Sequence, residues 1–294
     1  MSSRFVQLVV DGLATGSIYA VVALAIVIVN RTTGLINFAQ GSMAVLSTYI
    51  AFTFVQTGMP LALALVLAVV VSFFFGALVE RLVIRRFEGG SHHVAVVVTV
   101  GLFVLIAGIA GWIWSYNTRQ FPSLFPIDSV SIAGASVGIR SLGTVGTIVV
   151  AMLLLQLLFL KTKLGLALRA VSGNRESAAL SGLPVGRLLM VGWGLAAALG
   201  AIGGALVAPK LFLSPSMLDF VLVYALAAAI LGGLDSPLGA VVAAWVIGVA
   251  ENLAGGYIPF IGDDLKIAVP MALMFLILIV RPQGLFGRKE VVRV

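Results

Sequence analysis

The sequence predicts an all-α polytopic membrane protein in which residues 1–294 form a single transmembrane domain. Hydrophobic residues make up 61% of the chain and charged residues only 10%, whereas soluble globular domains carry about 25% charged residues. The apolar residues lie in long runs, and about 20 such residues cross a hydrocarbon core about 30 Å thick. These runs predict roughly eight to nine transmembrane or re-entrant helices.

The apolar runs define the predicted helices in chain order. They are residues 5–29, 43–55, 61–83, 94–114, 142–160, 188–208, 220–231, 238–250 and 267–280. Three of them, 43–55, 220–231 and 238–250, are too short to cross a bilayer comfortably. We expect these three to be half-helices, re-entrant segments or parts of longer broken helices, which membranes tolerate where protein surrounds them.

Basic residues are concentrated in three parts of the chain and predict its orientation. They are Arg81, Arg85 and Arg86, then Lys161, Lys163, Arg169, Arg175 and Arg187, and finally Arg281, Arg288, Lys289 and Arg293. Because cytoplasmic loops of membrane proteins are enriched in Lys and Arg, we expect all three parts to be cytoplasmic. Orientation then accounts for the net charge of +7, and no nucleic-acid partner is expected. The opposite loops carry Asp128, Asp219, Asp263 and Asp264.

Residues 116–140 are a long connection on the acidic side of the predicted membrane. Pro122 and Pro126 interrupt it, and Val130 and Ile132 alternate with serine residues. Alternation beside turn residues is typical of a short strand pair. We therefore predict a small extracytoplasmic hairpin.

Residues 161–184 are a basic, glycine-containing segment between two apolar runs, and they predict a short helix outside the bilayer. Asn174 can cap the first free amides, Glu176 lies in the first turn, where the helix dipole favours an anion, and Gly182 with Pro184 ends the helix. About two turns fit between these signals. Two interpretations remain open: a docking surface for a soluble motor, or a solvated connector whose charges fix the orientation.

The run 188–208 carries a stripe of small residues. They recur at every fourth position, as Gly192, Ala196, Gly200, Gly204 and Ala208. Small residues on one face allow the backbone of a second helix to approach closely. The stripe therefore predicts helix packing.

Two interruptions of the apolar pattern, residues 32–42 and 232–239, are candidates for a translocation path. Matching breaks in two halves of a transporter point to a transport site, because free backbone groups can line a watery path. The alternative is that each is an ordinary turn between helices. The predicted orientation places both near the cytoplasmic side, which favours that alternative. The candidate path residues here are Asn37, Gln40, Ser42, Asp235 and Ser236.

Single polar residues inside the spans add Tyr19 and Glu251 to the candidate path. Acidic residues within a membrane are costly and usually functional, but Glu251 ends a predicted run and could instead reach the headgroup region. No catalytic motif is present: we find no phosphate-binding loop, no nucleophile elbow, no metal-ligand cluster and no cysteine. The sequence therefore predicts no enzyme and no metal site, and any ATP would be hydrolysed by another chain.

Three parts of the chain resemble one family. Residues 12–51 are similar to the opening of the permease subunits of branched-chain amino acid ABC transporters, the high-affinity leucine, isoleucine and valine uptake family. Residues 164–188 resemble that family's cytoplasmic loop, and residues 227–252 resemble its carboxy-terminal signature.

The resemblance implies a heteromeric importer in the bacterial cytoplasmic (inner) membrane. Its partners would be two cytoplasmic ATP-binding subunits that hold ATP and Mg, a second permease subunit, related but different, and an extracytoplasmic solute-binding protein. Relatives import branched-chain amino acids, other amino acids, urea, amides or aromatic acids. The resemblance also places a set of residues in a coupling segment against the ATPase: Gly165, Arg169, Ala170, Asn174, Ala178, Ala179 and Gly182.

An ion-coupled secondary transporter is the alternative to an ATP-driven importer. Such a carrier needs an ion-coupling acid deep in a span. The candidates for such an acid are Asp11 and Glu251, and both are placed near span ends. The sequence therefore favours the importer.

Overall fold

The computed structural model describes residues 2–87, 92–132, 135–262, 265–281 and 283–287, and within them the chain is a helical bundle with one small hairpin. Predicted Asp263, Asp264, Arg288, Lys289 and Arg293 lie outside these residues. The helices are α1 Ser2–Thr33, α2 Gln40–Gln56, α3 Leu61–Leu82, α4 His92–Trp114, α5 Ile139–Lys161, α6 Lys163–Gly173, α7 Arg175–Leu180, α8 Val185–Leu211, α9 Asp219–Gly232, α10 Pro237–Tyr257 and α11 Ala268–Val280. A 3-10 turn, Ile84–Phe87, follows α3.

Within the described residues, six helices are long and apolar enough to span a membrane, namely α1, α3, α4, α5, α8 and α10. The predicted all-α polytopic fold is therefore confirmed. Two predictions of length were wrong. The run 238–250 is part of the longer α10, whereas 267–280, which we expected to span, corresponds to an α11 of only 13 residues.

The polar pair Glu251–Asn252 explains why α10 looked short in the sequence. The pair ends the apolar run, but the helix continues because both side chains are hydrogen-bonded inside the protein. Asn252 donates from Nδ2 to the Gly248 carbonyl at 2.9 Å, and Glu251 accepts from Tyr19. A polar residue whose groups are satisfied can lie within a spanning helix at lower cost.

The first helix, α1, lies at the centre of the bundle. Residues 20–29 are buried on every side, as expected of a helix that is hydrophobic all round. Its amino-terminal half packs closely against α10, where a Cβ built at Gly12 would lie 2.6 Å from the Val249 Cα and one at Gly16 would lie 2.8 Å from the Trp245 Cα. Gly248 of α10 completes this backbone-to-backbone contact.

The stripe of small residues on α8 packs as predicted. Gly192 lies against Thr32 of α1, and Gly200 and Gly204 lie against Ala44 and Thr48 of α2. The residue numbers of the contacting positions therefore increase together along α2 and α8, so the two helices run parallel. The packing interpretation of the stripe is confirmed.

The predicted hairpin is also present. Strand β1, Ser129–Ile132, pairs antiparallel with β2, Ala135–Gly138, and the Ile139 amide donates to the Asp128 carbonyl at 2.8 Å where α5 begins. We call this the hairpin end of the bundle. The opposite end, where α1, α3 and α5 finish and α8 begins, is the basic end, because it carries Arg31, Arg85 and Arg175.

Candidate translocation path and coupling surface

The first interruption, residues 34–39, lies deeper in the bundle than the sequence suggested. Gln40 begins α2, and its Nε2 donates to the Ala196 carbonyl at 3.1 Å. Ala196 lies near the middle of α8, Val185–Leu211. The expectation that this break lies near the cytoplasmic side was therefore wrong, because the chain turns back into the bundle after α1 and α2 starts about halfway across.

Buried hydrogen bonds hold this break in place. Asn37 accepts from the Ala39 amide at 3.0 Å and donates to Gln40 Oε1 at 3.2 Å, and Ser42 donates to the Ala39 carbonyl at 3.0 Å. All three predicted side chains are buried. Their first function in this conformation is structural, since they satisfy backbone groups where the helix is broken.

The second interruption, residues 232–239, is an ordinary turn at the basic end. Ser236 caps α10 by accepting from the Gly239 amide at 3.1 Å, and Pro237 occupies the first turn, where its missing N–H costs nothing. The Phe286 amide donates to the Gly232 carbonyl at 3.1 Å. Of the two interpretations of this segment, the structure supports the turn.

Asp235 and Ser236 nevertheless line a cavity of about 190 Å³ at the basic end. Arg31 at the end of α1 and Phe159 at the end of α5 contribute to its wall, together with Phe286. The Arg31 guanidinium also lies over the Phe159 ring, 4.9 Å from its centroid. Asp235 and Ser236 are therefore placed at the basic end of the bundle and away from the interior break.

The counterpart of the first break is a segment that sequence analysis missed, residues 212–218. It connects the hairpin end of α8 to α9, a helix of only 14 residues. A Cβ built at Gly41, at the start of α2, would lie 3.5–3.6 Å from the Leu218 carbonyl and the Leu222 side chain, so α2 passes close to the start of α9 there. The starts of two short helices thus meet inside the bundle. Ser214, Pro215 and Ser216 were the available signal.

Tyr19 and Glu251, separated by 232 positions, are brought together beside Tyr224 of α9. The Tyr19 hydroxyl donates to Glu251 Oε2 at 2.8 Å, and the Tyr19 and Tyr224 rings stack with centroids 4.6 Å apart. Glu251 is only 7% exposed, and it lies six residues before the end of α10. The expectation that it ends a span was wrong. The arrangement is a buried carboxylate with an aromatic wall, and it joins α1, α9 and α10.

The segment between α5 and α8 folds into two surface helices, α6 and α7. The predicted short helix is α7, in which Asn174 accepts from the Ser177 amide at 2.9 Å and Glu176 lies in the first turn. Gly182 has a φ of +80°, a conformation that favours glycine, and it ends the turn. Helix α6 was not predicted; Thr162 caps it by accepting from the Gly165 amide at 3.0 Å.

The predicted coupling residues divide into two groups. Gly165 and Ala178 are buried and Arg169 is half-buried, so these three shape the helix pair. Gly165 allows the closest approach, because a Cβ there would meet Phe159 at the end of α5. The other four are exposed: Ala170, Asn174, Ala179 and Gly182. Leu180, which sequence analysis did not single out, is 90% exposed beside them.

Two arginines tie this helix pair to the spanning helices. Arg175, the first residue of α7, donates from Nη2 to the Thr33 carbonyl at the end of α1. Arg85 donates to both carboxylate oxygens of buried Glu80 on α3, at 2.6 and 3.2 Å, and to the Gly186 carbonyl at the start of α8. A displacement of α6 and α7 therefore acts directly on α1, and the start of α8 is held to α3.

In the part of the chain that the structure describes, six helices of spanning length, two shorter helices that start inside the bundle and a helix pair tied to its basic end define a multi-pass membrane protein. A family model described as "Branched-chain amino acid transport system / permease component" matches residues 8–279, so the chain belongs to this family.

Three curated relatives match almost end to end. The high-affinity branched-chain amino acid transport system permease protein LivH of Salmonella typhimurium is 27% identical over 304 residues, covering 99% of this chain and 98% of that protein. BraD of Pseudomonas aeruginosa, which carries the same description, is 27% identical over 305 residues with the same coverage of both chains. LivH of Escherichia coli is 28% identical over 304 residues, also with 99% and 98% coverage. The chain is thus a permease subunit of an ATP-binding-cassette importer and not a secondary transporter.

Proposed function

We propose that this permease subunit forms part of the path through which a branched-chain amino acid enters the cell. The cargo follows from the names of LivH and BraD, which match this chain over almost its whole length. The observation that carries the mechanism is the attachment of α7 to the end of α1 through Arg175 and Thr33. It joins a surface on which a motor can act to the central helix of the bundle.

The importer that we propose contains four kinds of component in a bacterial cytoplasmic (inner) membrane. Two cytoplasmic subunits bind and hydrolyse ATP with Mg, and this chain supplies no catalytic group. A second permease subunit, related but different, completes the path. A solute-binding protein delivers the cargo to the hairpin end. The lipid bilayer surrounds the apolar faces of α3, α4 and α5, where Val66, Phe74, Val97 and Leu154 are 60% or more exposed.

The exposed face of α6 and α7 is the proposed docking surface for an ATP-binding subunit. Leu180 projects from it, and Ala170, Asn174, Ala179 and Gly182 surround it with small or polar groups. Closure of the two ATP-binding subunits moves this surface as a rigid unit, as ligand-driven domain movements do in other switching proteins. Arg175 then passes the movement to α1.

Movement of α1 reaches the proposed path through Tyr19. Its hydroxyl holds Glu251 of α10 and its ring stacks on Tyr224 of α9, so a shift of α1 changes both neighbours. Asn37, Gln40 and Ser42 lie at the break before α2 and in its first turn, and we place the path beside them. Asp235 and Ser236 at the basic end are the proposed exit.

Purification of the tagged chain from its native membrane tests the assembly. We expect ATP-binding subunits and a second permease to accompany it, as identified by mass spectrometry. The purified assembly is then placed in liposomes that contain ATP and Mg, and uptake of radiolabelled leucine is measured with its binding protein outside. Uptake that persists without ATP, by the chain alone, would refute the proposal. Uptake of another solute and not leucine would refute only the cargo.

A further inference from the structure

A second cavity, also of about 190 Å³, lies at the hairpin end between α1, α5 and α8. Two basic side chains line it, Arg140 in the first turn of α5 and Lys210 in the last turn of α8. Ser141 and Thr144 add hydroxyl groups, and the remaining wall is aliphatic: Ala14, Ile18 and Leu206. It is separate from the Asp235 cavity, which lies at the basic end.

Among the described residues, the basic groups in this cavity lack carboxylate partners. The Nε of Arg140 is buried and donates no hydrogen bond within the described part of the chain. Neither Arg140 nor Lys210 forms an ion pair with a carboxylate among the residues that the structure describes. A buried guanidinium nitrogen without an acceptor is costly, and such groups in native proteins call for an explanation such as a binding role.

The chemistry of the lining selects an oxyanion attached to a small aliphatic group. The guanidinium of Arg and the ammonium of Lys bind carboxylates through charge-assisted hydrogen bonds. The positive end of the α5 dipole adds to the field, since Arg140 and Ser141 lie in its first turn. Ala14, Ile18 and Leu206, each 7% exposed or less, give the group beside the anion an apolar surface.

We propose that this cavity receives the α-carboxylate of the amino acid cargo as the binding protein releases it. The inference rests on the proposed function, because it takes the cargo from there, and it adds a reception site that holds one end of the molecule. Ile18 in the wall of this cavity directly precedes Tyr19, which holds Glu251 of α10. Cargo held at Arg140 and Lys210 would therefore lie beside the part of α1 that carries Tyr19. Glu251 would be the next polar group that the cargo meets.

The test uses the complete importer in lipid nanodiscs without its binding protein. Binding of radiolabelled leucine is measured for the wild type, for Arg140→Gln, for Lys210→Gln and for the double variant. Arg4→Gln is the matched control, because Arg4 lies at the same end on an exposed site and bonds the Gly256 carbonyl. Leucinol, which lacks the carboxylate, is the competitor. Thermal stability and ATPase co-purification are measured for every variant.

We expect Arg140→Gln to weaken leucine binding about tenfold or more, the usual effect of losing a charged hydrogen bond. The double variant should lose binding, Lys210→Arg should retain it, and leucinol should not compete. Unchanged binding in folded variants would overturn the inference, as would no measurable binding to a wild type that still imports leucine. Native mass spectrometry that finds a phospholipid in the wild type and not in the double variant would assign the cavity to a lipid phosphate instead. A wild type that imports no leucine at all would refute the proposed function itself.

Discussion

At the scale of single residues, the contact between Gly204 and Thr48 shows how closely α2 and α8 approach. A Cβ at Gly204 would collide with Thr48 Oγ1 and lie 2.9 Å from the Ala44 carbonyl. Thr48 cannot turn away easily, because its hydroxyl donates to that same carbonyl at 2.8 Å. Residue 204 must therefore lack a side chain if α2 is to lie where it does. The position of α2 in turn determines where the break before Gln40 lies.

We predict that Gly204→Ala lowers the thermal stability of the purified chain. An added methyl group in a packed interface typically costs about 1–3 kcal/mol. Gly101→Ala is the control, because nothing lies near Gly101 of α4 and alanine favours a helix by about 1 kcal/mol over glycine. Unfolding in detergent is followed by fluorescence-detected size exclusion. Equal midpoints for the two variants would contradict the prediction.

Tyr19→Phe tests the proposed link between α1 and α10. The variant keeps the ring that stacks on Tyr224 and removes the hydroxyl that donates to Glu251. Leaving a buried acceptor without its donor costs about 1–3 kcal/mol, so we expect leucine uptake to fall at least about fivefold while the complex still assembles. The control is Tyr116→Phe, whose side chain is 71% exposed. Uptake equal to that of the control would show that the Tyr19 hydroxyl is not needed for transport.

At the scale of elements, the pair α6–α7 is the part on which a partner can act. Its buried side, with Leu168, Val171 and Ala178, packs on the bundle, while Leu180 points outward. Leu180, 90% exposed at the end of α7, is a large apolar side chain that this face offers to a partner.

We therefore expect Leu180→Asp to prevent co-purification of the ATP-binding subunits while the chain itself remains folded. A charge placed in an apolar contact must be desolvated without a partner, which costs several kcal/mol. Ile127→Asp provides the same chemical change at the hairpin end, on a side chain that is 82% exposed. The ratio of ATPase to permease is measured by quantitative mass spectrometry. An unchanged ratio for Leu180→Asp would exclude this leucine from the docking surface.

Sequence signals predicted some elements and missed others for identifiable reasons. Helix α7 could be predicted because Asn174 and Gly182 act locally, through a cap and a positive φ. The depth at which α2 starts within the bundle could not be predicted, because it depends on the contact of Gln40 with Ala196, 156 positions away. The short helix α9 was predicted as the run 220–231, but the break before it, residues 212–218, was not recognised, because its packing against Gly41 joins positions far apart in the chain.

At the scale of the whole molecule, the distribution of charge and the fold give a consistent orientation. The carboxy-terminal ends of α1, α3 and α5 and the start of α8 share the end that carries Arg31, Arg85 and Arg175. Five of the six spanning helices in the described residues could be predicted from apolar runs of sufficient length, whereas the run of α10 was cut short by Glu251 and Asn252. Tyr19 and Glu251 were singled out as polar residues, but their pairing could not be read from the chain.

The natural absence of cysteine makes this orientation testable with single substitutions. We expect Ser136→Cys in β2 to react with a membrane-impermeant maleimide in intact spheroplasts. Ser172→Cys in α6 should react only after the membrane is opened, because basic segments remain in the cytoplasm. Both side chains are exposed, and Ser72→Cys, at a fully buried position of α3, is the unreactive control. Labelling in the reverse order would invert the proposed direction of transport.

The glycine contact between α1 and α10 has a mechanical consequence. With backbone atoms of Gly12, Gly16 and Gly248 in direct contact, neither helix can slide along the other without a collision. The pair is also held to α7 at the basic end, through Thr33 of α1. We therefore expect the two helices to tilt together during a transport cycle, so that two spectroscopic labels, one on each helix, keep a constant separation while a label on α5 moves away from them.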